Sequence, residues 1–108
     1  MAETVLSVAV FDVIHGKEQE CLQVLRELYA LLRRKNYSRD LLLRDSRQPE
    51  RIINVRFWTS EQARQEAAED PEVHRYWVQL PNLLKMREVY ERLEGVPGFA
   101  SAKEELAE

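Results

Sequence analysis

The chain has 108 residues, which is enough for one domain with its own hydrophobic core, predicted over residues 4–94, followed by a charged tail over residues 95–108. Its 44% hydrophobic and 32% charged residues are typical of a folded globular protein and exclude a disordered chain. The net charge of −3 is too small to favour a nucleic acid or an acidic membrane surface as a partner.

The chain contains one cysteine, Cys21, so no disulfide can form within it. Cys21 falls at an apolar position of a predicted helix, where a thiol usually behaves as a small buried hydrophobe. The apolar N-terminal stretch has no basic residues before it and is interrupted by Asp12, which predicts neither a signal peptide nor a membrane span. We therefore expect a cytoplasmic protein with no membrane partner.

The first half of the chain predicts a strand, a helix and a second strand. Residues 4–14 are apolar on both faces, which is typical of an interior strand that is covered on two sides. Residues 17–35 predict a helix, because apolar side chains recur at helical spacing and the basic run Arg33, Arg34 and Lys35 ends it. Residues 37–45 predict the second strand, and residues 46–50 a polar linker.

Residues 51–58 predict the third strand, in which Ile53, Val55 and Phe57 alternate with a second face formed by Ile52, Asn54, Arg56 and Trp58. A helix follows, and Thr59 with Gln62 has the spacing of a capping box.

Asp70 and Pro71 predict a break in that helix, because proline lacks an N–H donor and Asp70 can cap a new start. Residues 82–85 predict a turn and residues 87–93 a fourth strand, although the latter also fits a helical face. Phe99 is predicted to anchor the tail.

The order β-α-β-β-α-β predicts an α+β ferredoxin-like fold: a four-stranded antiparallel sheet with both helices on one face. The first strand has apolar side chains on both faces, so the second face of the sheet also needs a cover. We expect a second copy of the chain to provide it, which makes the protein a homodimer.

Asn54 and Arg56 share one strand face with Trp58 and are the best candidates for donors that orient a carbonyl group or stabilise an oxyanion. Cross-strand or dimer-interface pairing explains Asn54 and Arg56 equally well. Asp12, which lies among apolar residues, is expected to pair with Arg56 or Arg44.

Histidine side chains in general suit proton transfer at neutral pH, so His74 is a candidate general base acting on a phenolic hydroxyl, but it also fits an exposed helix position. Trp58, Tyr76 and Trp77 can line an aromatic pocket or belong to the core, and for Trp77 the core is favoured. The sequence has no zinc-type spacing and no glycine-rich phosphate loop, so we expect no metal and no cofactor.

The strand end at Arg56, Phe57 and Trp58, the helix start at residues 59–63 and the segment Asp70 to His74 together resemble the antibiotic biosynthesis monooxygenase family of dimeric α/β-barrel proteins. The resemblance extends over residues 5–93. It implies a fold shared with cofactor-independent oxygenases of quinols and polyketide aromatics, with haem-degrading enzymes and with members that have no demonstrated activity.

The haem-degrading branch of that family uses an asparagine on the first strand with a tryptophan and a histidine on the second helix. Alignment without gaps on Gly16 and Trp58 places these three positions at Ala9, Ala67 and Trp77, so none of them matches. His74 lies one turn before the histidine position. The resemblance therefore does not imply haem degradation.

The leading hypothesis from the sequence is a cofactor-independent monooxygenase that acts on a small aromatic, quinol or polyketide-like substrate. Asn54, Arg56 and His74 would be its catalytic residues, and Trp58, Tyr76 and Trp77 would bind the substrate. The alternative is a non-catalytic dimeric module of the same fold that binds a small ligand or another protein.

Overall fold

The computed structural model describes residues 5–99 of the chain, which form a four-stranded sheet and three α-helices. The elements in chain order are β1 (Val5–Val13), α1 (Glu18–Arg34), β2 (Ser38–Asp45), β3 (Gln48–Trp58), α2 (Glu61–Ala68), α3 (Pro71–Trp77), a short 3₁₀ turn (Leu80–Asn82) and β4 (Leu84–Leu93). The predicted β-α-β-β-α-β order is confirmed. The predicted break in the second helix separates α2 from α3.

The strands lie in the order β2-β3-β1-β4, and all neighbouring pairs are antiparallel. β1 is therefore an interior strand, as its two apolar faces predict. The registers of β2, β3 and β1 place Asp40 beside Arg56 and Arg56 beside Ser7. One continuous row of polar side chains consequently crosses three strands on the same face of the sheet.

The helices cover the face of the sheet that carries this polar row. One apolar cluster joins Phe11 and Ile52 of the sheet to Cys21 and Leu25 of α1, and a second joins Trp58 to helical residues that include Leu28. Cys21 is fully buried, and burial raises the pKa of its thiol. The cysteine is thus a core residue, as its helical position predicts.

The opposite face of the sheet contributes no side chain to either cluster. The strand registers arrange it in cross-strand rows that are largely apolar: Leu41, Val55, Val8 and Tyr90 form one row, and Leu43, Ile53, Val10 and Glu88 form the next. Leu43 and Tyr90 are 45% and 47% exposed at the two edges. We call this surface the open sheet face.

The cap of α2 differs from the prediction. Ser60, not Thr59, is the N-cap residue, and its Oγ accepts a hydrogen bond from the backbone N–H of Ala63 at 3.0 Å. Thr59 instead donates its hydroxyl to the carbonyl oxygens of Asn36 and Tyr37. The helix thus begins one residue later than the capping box requires, so the predicted Thr59 and Gln62 pair does not form.

We expect Ser60→Ala to lower the free energy of unfolding by about 1 kcal/mol, because the N–H of Ala63 loses its acceptor at the helix start. Chemical denaturation measures this change. Thr59→Val provides the comparison, since Thr59 caps no helix but bonds two carbonyls. A Ser60→Ala variant as stable as the wild type would show that the cap contributes nothing.

Two strands are longer than predicted. β3 begins at Gln48, because that residue pairs with Asp45 and leaves only a two-residue turn where a five-residue linker was expected. β4 begins at Leu84, which pairs with Val13, so the strand includes part of the predicted turn. Phe99 is 78% exposed and does not anchor the tail. Residues 1–4 and 100–108 lie outside the described part of the chain.

Asp12 does not pair with Arg56 or Arg44. Its carboxylate accepts from Nε of Arg51 at 2.9 Å, because the antiparallel register of β1 and β3 makes these two residues neighbours. Arg87 of β4 lies 3.5 Å away on the other side. Asp12 therefore has a structural partner on each adjacent strand, and the hydrogen bond from Arg51 lowers the pKa of its carboxyl.

Asp70 connects three elements. Its carboxylate caps α3 by accepting from the N–H of Glu72, and it also accepts from Nζ of Lys35 at 2.8 Å and from the hydroxyl of Tyr37 at 2.7 Å. These bonds, with the one from Lys35 first, lower the pKa of Asp70 from 3.8 to about 2. The ionised carboxylate therefore holds the start of α3 against the end of α1 and the segment before β2.

Asp70 is expected to make stability depend on acidity below pH 4. Because its folded pKa lies below its ordinary value, its contribution is complete above that value and is lost as the pH falls toward about 2. The melting temperature of Asp70→Asn should be lower than that of the wild type at pH 7, and the gap should close near pH 2. A difference in melting temperature that stays constant with pH, or an equally large difference for Glu69→Gln, would contradict the role of Asp70.

Candidate functional site

A cavity of about 630 Å³ lies between the helix-facing side of the sheet and the helices. Most of its wall is apolar and comes from the two core clusters and from β4. The polar side chains in the wall belong to five residues besides the aromatic ones: Ser7, Asn54, Arg56, Arg64 and Glu91. This combination of an apolar wall with a few polar groups is typical of a small-molecule site.

Arg56 is the central charged group of the cavity wall. Its Nε donates to Oδ1 of Asp40 at 2.5 Å, and the two side chains are only 13% and 1% exposed. Burial raises the pKa of the Asp40 carboxyl, while the charge of Arg56 opposes that rise. The predicted cross-strand pairing of Arg56 is therefore confirmed, and the same side chain lines the cavity.

Two aromatic rings flank the guanidinium group of Arg56. Its central carbon lies 5.3 Å from the ring centroid of Trp58 and 5.6 Å from that of Tyr29, both within cation–π range. Burial raises the pKa of the Tyr29 hydroxyl, so it stays protonated at neutral pH. The rings and the carboxylate of Asp40 together restrict how the cation can turn.

The indole N–H of Trp58 already has a partner. It donates to Oγ of Ser7 at 2.8 Å, and Ser7 donates in turn to the backbone carbonyl of Glu91 on β4 at 2.6 Å. Trp58 is 6% exposed, so this partner removes the cost of burying the indole N–H. Its ring, rather than its N–H, is therefore what the cavity presents to a ligand.

Asn54 is buried and lines the same cavity one step along β3. Its Nδ2 donates to the carbonyl oxygen of Leu41 on the neighbouring strand, at 3.4 Å. This long bond engages only one of the donors of the amide.

The structure does not bring His74 to the cavity. Its side chain is exposed on α3, where its Nε2 contacts the carbonyl oxygen of Ala68 and its ring packs edge-to-face with that of Trp77, with the ring centroids 5.1 Å apart. Tyr76 packs between the two apolar clusters and does not line the cavity, whereas Trp77 does. Four of the six predicted site residues therefore meet at one cavity: Asn54, Arg56, Trp58 and Trp77.

Sequence reasoning missed Asp40 and Tyr29. Tyr29 lies next to Leu28 in α1, where its position in the helix does not distinguish it from a core residue. Asp40 stands in a leucine-rich strand, and its partner becomes visible only from the register of β2 against β3. That register is irregular between Arg44 and Asp45, so counting back from the turn does not predict it.

Two further properties concern residues 5–99 alone. In that part of the chain no group of three or more His, Cys, Asp or Glu side chains is arranged to hold a metal ion. None of the three α-helices described there is long and apolar enough to span a membrane.

The fold and the cavity define a ferredoxin-like α+β domain with a cavity between its sheet and its helices. A sequence model of the family described as antibiotic biosynthesis monooxygenase matches residues 4–80. The chain belongs to this family, and the fold predicted by the resemblance is confirmed.

Solved structures support the same fold. SnoaB from Streptomyces nogalater, described as a cofactor-independent oxygenase, is 24% identical with a TM-score of 0.73 over 89% of this chain and 99% of its own. A candidate antibiotic biosynthesis monooxygenase from Bacteroides thetaiotaomicron is 13% identical with a TM-score of 0.75, over 91% and 95% of the two chains.

A candidate member from Nitrosomonas europaea is 10% identical, with a TM-score of 0.74 over 93% and 97% of the two chains. At these identities the likeness establishes the fold alone. No curated protein matches the chain.

Proposed function

We propose that the protein is a cofactor-independent monooxygenase that oxidises a small electron-rich aromatic, a quinol or a polyketide-like phenol, in the cavity described above. The observation that carries this proposal is the position of Arg56: a guanidinium group held at the wall of an apolar cavity, between the rings of Trp58 and Tyr29. Family membership and the fold shared with SnoaB, an oxygenase that needs no cofactor, support it.

The cavity suits a planar aromatic ligand. Its volume of about 630 Å³ lies within the usual range of small-molecule pockets, roughly 300–1,000 Å³. The rings of Trp58 and Trp77 offer flat apolar surfaces, while Asn54 and Arg56 place N–H donors on one wall. A phenol or quinol fits this distribution, because one edge of its ring system is polar and its faces are apolar.

In the proposed reaction the substrate supplies the electrons. A phenolic substrate with an adjacent CH₂ group loses one proton to water, and Arg56 stabilises the resulting delocalised anion. The anion passes one electron to dioxygen, and the two radicals combine into a C–O–O⁻ adduct that takes up a proton. Cleavage of the O–O bond with loss of the remaining C–H proton gives a carbonyl group and one water molecule, so O₂ supplies one oxygen atom to each.

The protein contributes binding, charge stabilisation and exclusion of water in this scheme. Arg56 and Asn54 are the donors proposed to hold the substrate oxygen, and Trp58 and Trp77 position the rings. His74 is left out of the proposed machinery, because it lies outside the cavity and bonds a backbone carbonyl. Tyr76 is left out as well, because it packs with the core.

A second candidate function is a non-catalytic module that binds an aromatic ligand. The observation that favours it is that Arg56 is already paired with Asp40, while among residues 5–99 no histidine stands in the cavity wall to take the substrate proton. Such a module would bind the same phenols and quinols but leave them unchanged.

We also propose that two copies of the chain pair through their open sheet faces. The apolar rows around Val55 and Ile53 support this, since a contiguous apolar sheet surface is stabilised when a second sheet packs on it. The dimer would act in the cytoplasm, where Cys21, which is buried and free, stays a thiol.

Oxygen consumption by metal-free protein tests the catalytic proposal. The protein is treated with a chelator, mixed with a panel of quinols and hydroxylated polycyclic aromatics, and compared with the same mixtures containing heat-denatured protein. We expect uptake above the autoxidation rate for at least one tricyclic phenol. Binding of these compounds without any uptake would favour the non-catalytic module instead.

A further inference from the structure

We propose that Asp40 is a specificity residue of the cavity: by compensating the charge of Arg56, it makes the site select a neutral phenolic or carbonyl oxygen over an aromatic carboxylate. This inference rests on the proposed location of the ligand site, and it names the charge of the ligand that the site accepts. Asp40 carries no role in the sequence-based hypothesis or in the catalytic scheme above.

Asp40 and Arg56 contact each other through the Nε side of the guanidinium group. Asp40 holds Arg56 through Nε, which is only one of the five N–H donors of a guanidinium group. The two terminal nitrogens take no part in that bond. The carboxylate therefore lies behind the cation, and Arg56 can present N–H donors to a ligand while its net charge is balanced from the rear.

The Asp40 carboxylate has few partners besides Arg56. Its Oδ2 atom is buried and has no hydrogen-bond partner in the described part of the chain, and its side chain is 1% exposed. Asp70 differs, because its carboxylate accepts from Lys35, Tyr37 and the backbone of Glu72. Burial raises the pKa of the Asp40 carboxyl, and Arg56, with the neighbouring Asn54 amide to a smaller extent, opposes that rise, so the charge of Asp40 acts mainly on Arg56.

The charge of the ligand determines how much hydration it loses on entering the cavity. A carboxylate loses strong hydration when it enters an apolar cavity, and only a full opposing charge compensates for that loss. The combined charge of Arg56 and Asp40 is zero, so their field compensates it only in part. A neutral hydroxyl or carbonyl group loses little hydration and still gains the N–H donors of Arg56. The pair therefore favours a ligand that enters the cavity neutral. A delocalised anion formed from it there spreads its charge over the ring system, so it needs less compensation than a carboxylate and still gains the N–H donors of Arg56.

Two ligands of the same ring system test the inference: 2-naphthol, which is neutral at pH 7, and 2-naphthoate, which is anionic. Binding to the full chain is measured by titration calorimetry, with no oxygen chemistry required. We expect the wild type to bind 2-naphthol more tightly. Asp40→Asn keeps an oxygen acceptor for Nε of Arg56 but removes the negative charge, so it should raise the affinity for 2-naphthoate about tenfold or more relative to 2-naphthol.

Asp12→Asn is the matched control, because Asp12 also pairs with an arginine across the sheet, but its partner Arg51, unlike Arg56, does not line the cavity. It changes the net charge equally and should leave the affinity ratio unchanged. Asp40→Thr, a second uncharged variant, should act like Asp40→Asn if the latter folds poorly.

The inference is overturned if both Asp40 variants keep the wild-type ratio, if Asp12→Asn changes the ratio as much, or if the wild type binds neither ligand. A changed ratio in a protein that consumes no oxygen supports the inference and rejects only the proposed catalysis. Oxygen uptake by a protein whose affinity ratio is unchanged in the Asp40 variants supports the proposed catalysis and overturns the inference.

Discussion

Oxygen uptake by Arg56→Met is expected to fall by about 10²-fold, because the variant roughly keeps the volume of the side chain but loses the positive charge that is proposed to stabilise the substrate anion. Arg56 is the one cation in the cavity wall that is flanked by two aromatic rings, and its side chain is 13% exposed. At such a position a charge acts through little water and is worth more than at the surface. Steady-state uptake at saturating substrate measures the change.

The matched comparison is His74→Ala. Sequence reasoning made His74 the general base, whereas the structure places it on the exposed side of α3 in contact with the carbonyl of Ala68. We expect this variant to keep uptake within about twofold of the wild type. Loss of uptake in folded His74→Ala together with full uptake in Arg56→Met would reverse the two assignments and reject the proposed site.

Ile53→Glu is expected to convert a dimer into monomers. Ile53 lies in the middle of the open sheet face, between Leu43 on β2 and Val10 on β1. If two such faces pack together, the variant buries one unpaired carboxylate from each copy, so the dissociation constant should rise at least about 10²-fold. Light scattering at micromolar concentration measures the mass of both proteins.

Val78→Glu provides the control for that experiment. Val78 is 66% exposed at the end of α3, away from the strands, so the same added charge should leave the mass of the dimer unchanged. A wild type with the mass of a monomer, or an Ile53→Glu variant that stays a dimer, would exclude pairing through the open sheet face.

The part of the site on β3 was predictable because a strand has an exact period of two. Once residues 51–58 are recognised as a strand, Asn54, Arg56 and Trp58 must share a face. The sequence could not say which face the helices cover. The two core clusters show that it is this face, so the polar residues border the cavity and the open sheet face carries Ile53 and Val55.

His74 lies outside the cavity because of helix geometry. Pro71 starts a new short helix whose orientation is set by Val73, which is fully buried. Trp77 lies four residues after Val73 and shares its side of the helix, so it reaches the cavity wall. His74 is turned about 100° from Val73 and is therefore exposed. Residue spacing alone does not reveal which side of so short a helix is buried.

Asp40 was missed for a different reason. Its environment depends on a pairing between strands, and the irregularity near Asp45 hides that register from the sequence. The same limit applies to Asp12, whose expected partners were wrong because β1 and β3 pair it with Arg51. Charge pairs across a sheet are tertiary contacts, and they follow from register rather than from local pattern.

Labelling with ¹⁸O₂ tests the central claim most directly, namely that the cavity around Arg56 inserts one atom of dioxygen into an aromatic substrate without a cofactor. Metal-free protein is incubated under ¹⁸O₂ with the panel compound that gives the fastest uptake, and the product is examined by mass spectrometry. We expect one ¹⁸O atom per product molecule with the wild type, and product at no more than the autoxidation rate with Arg56→Met. Equal labelled product from both proteins, or product that contains oxygen only from water, would contradict the account.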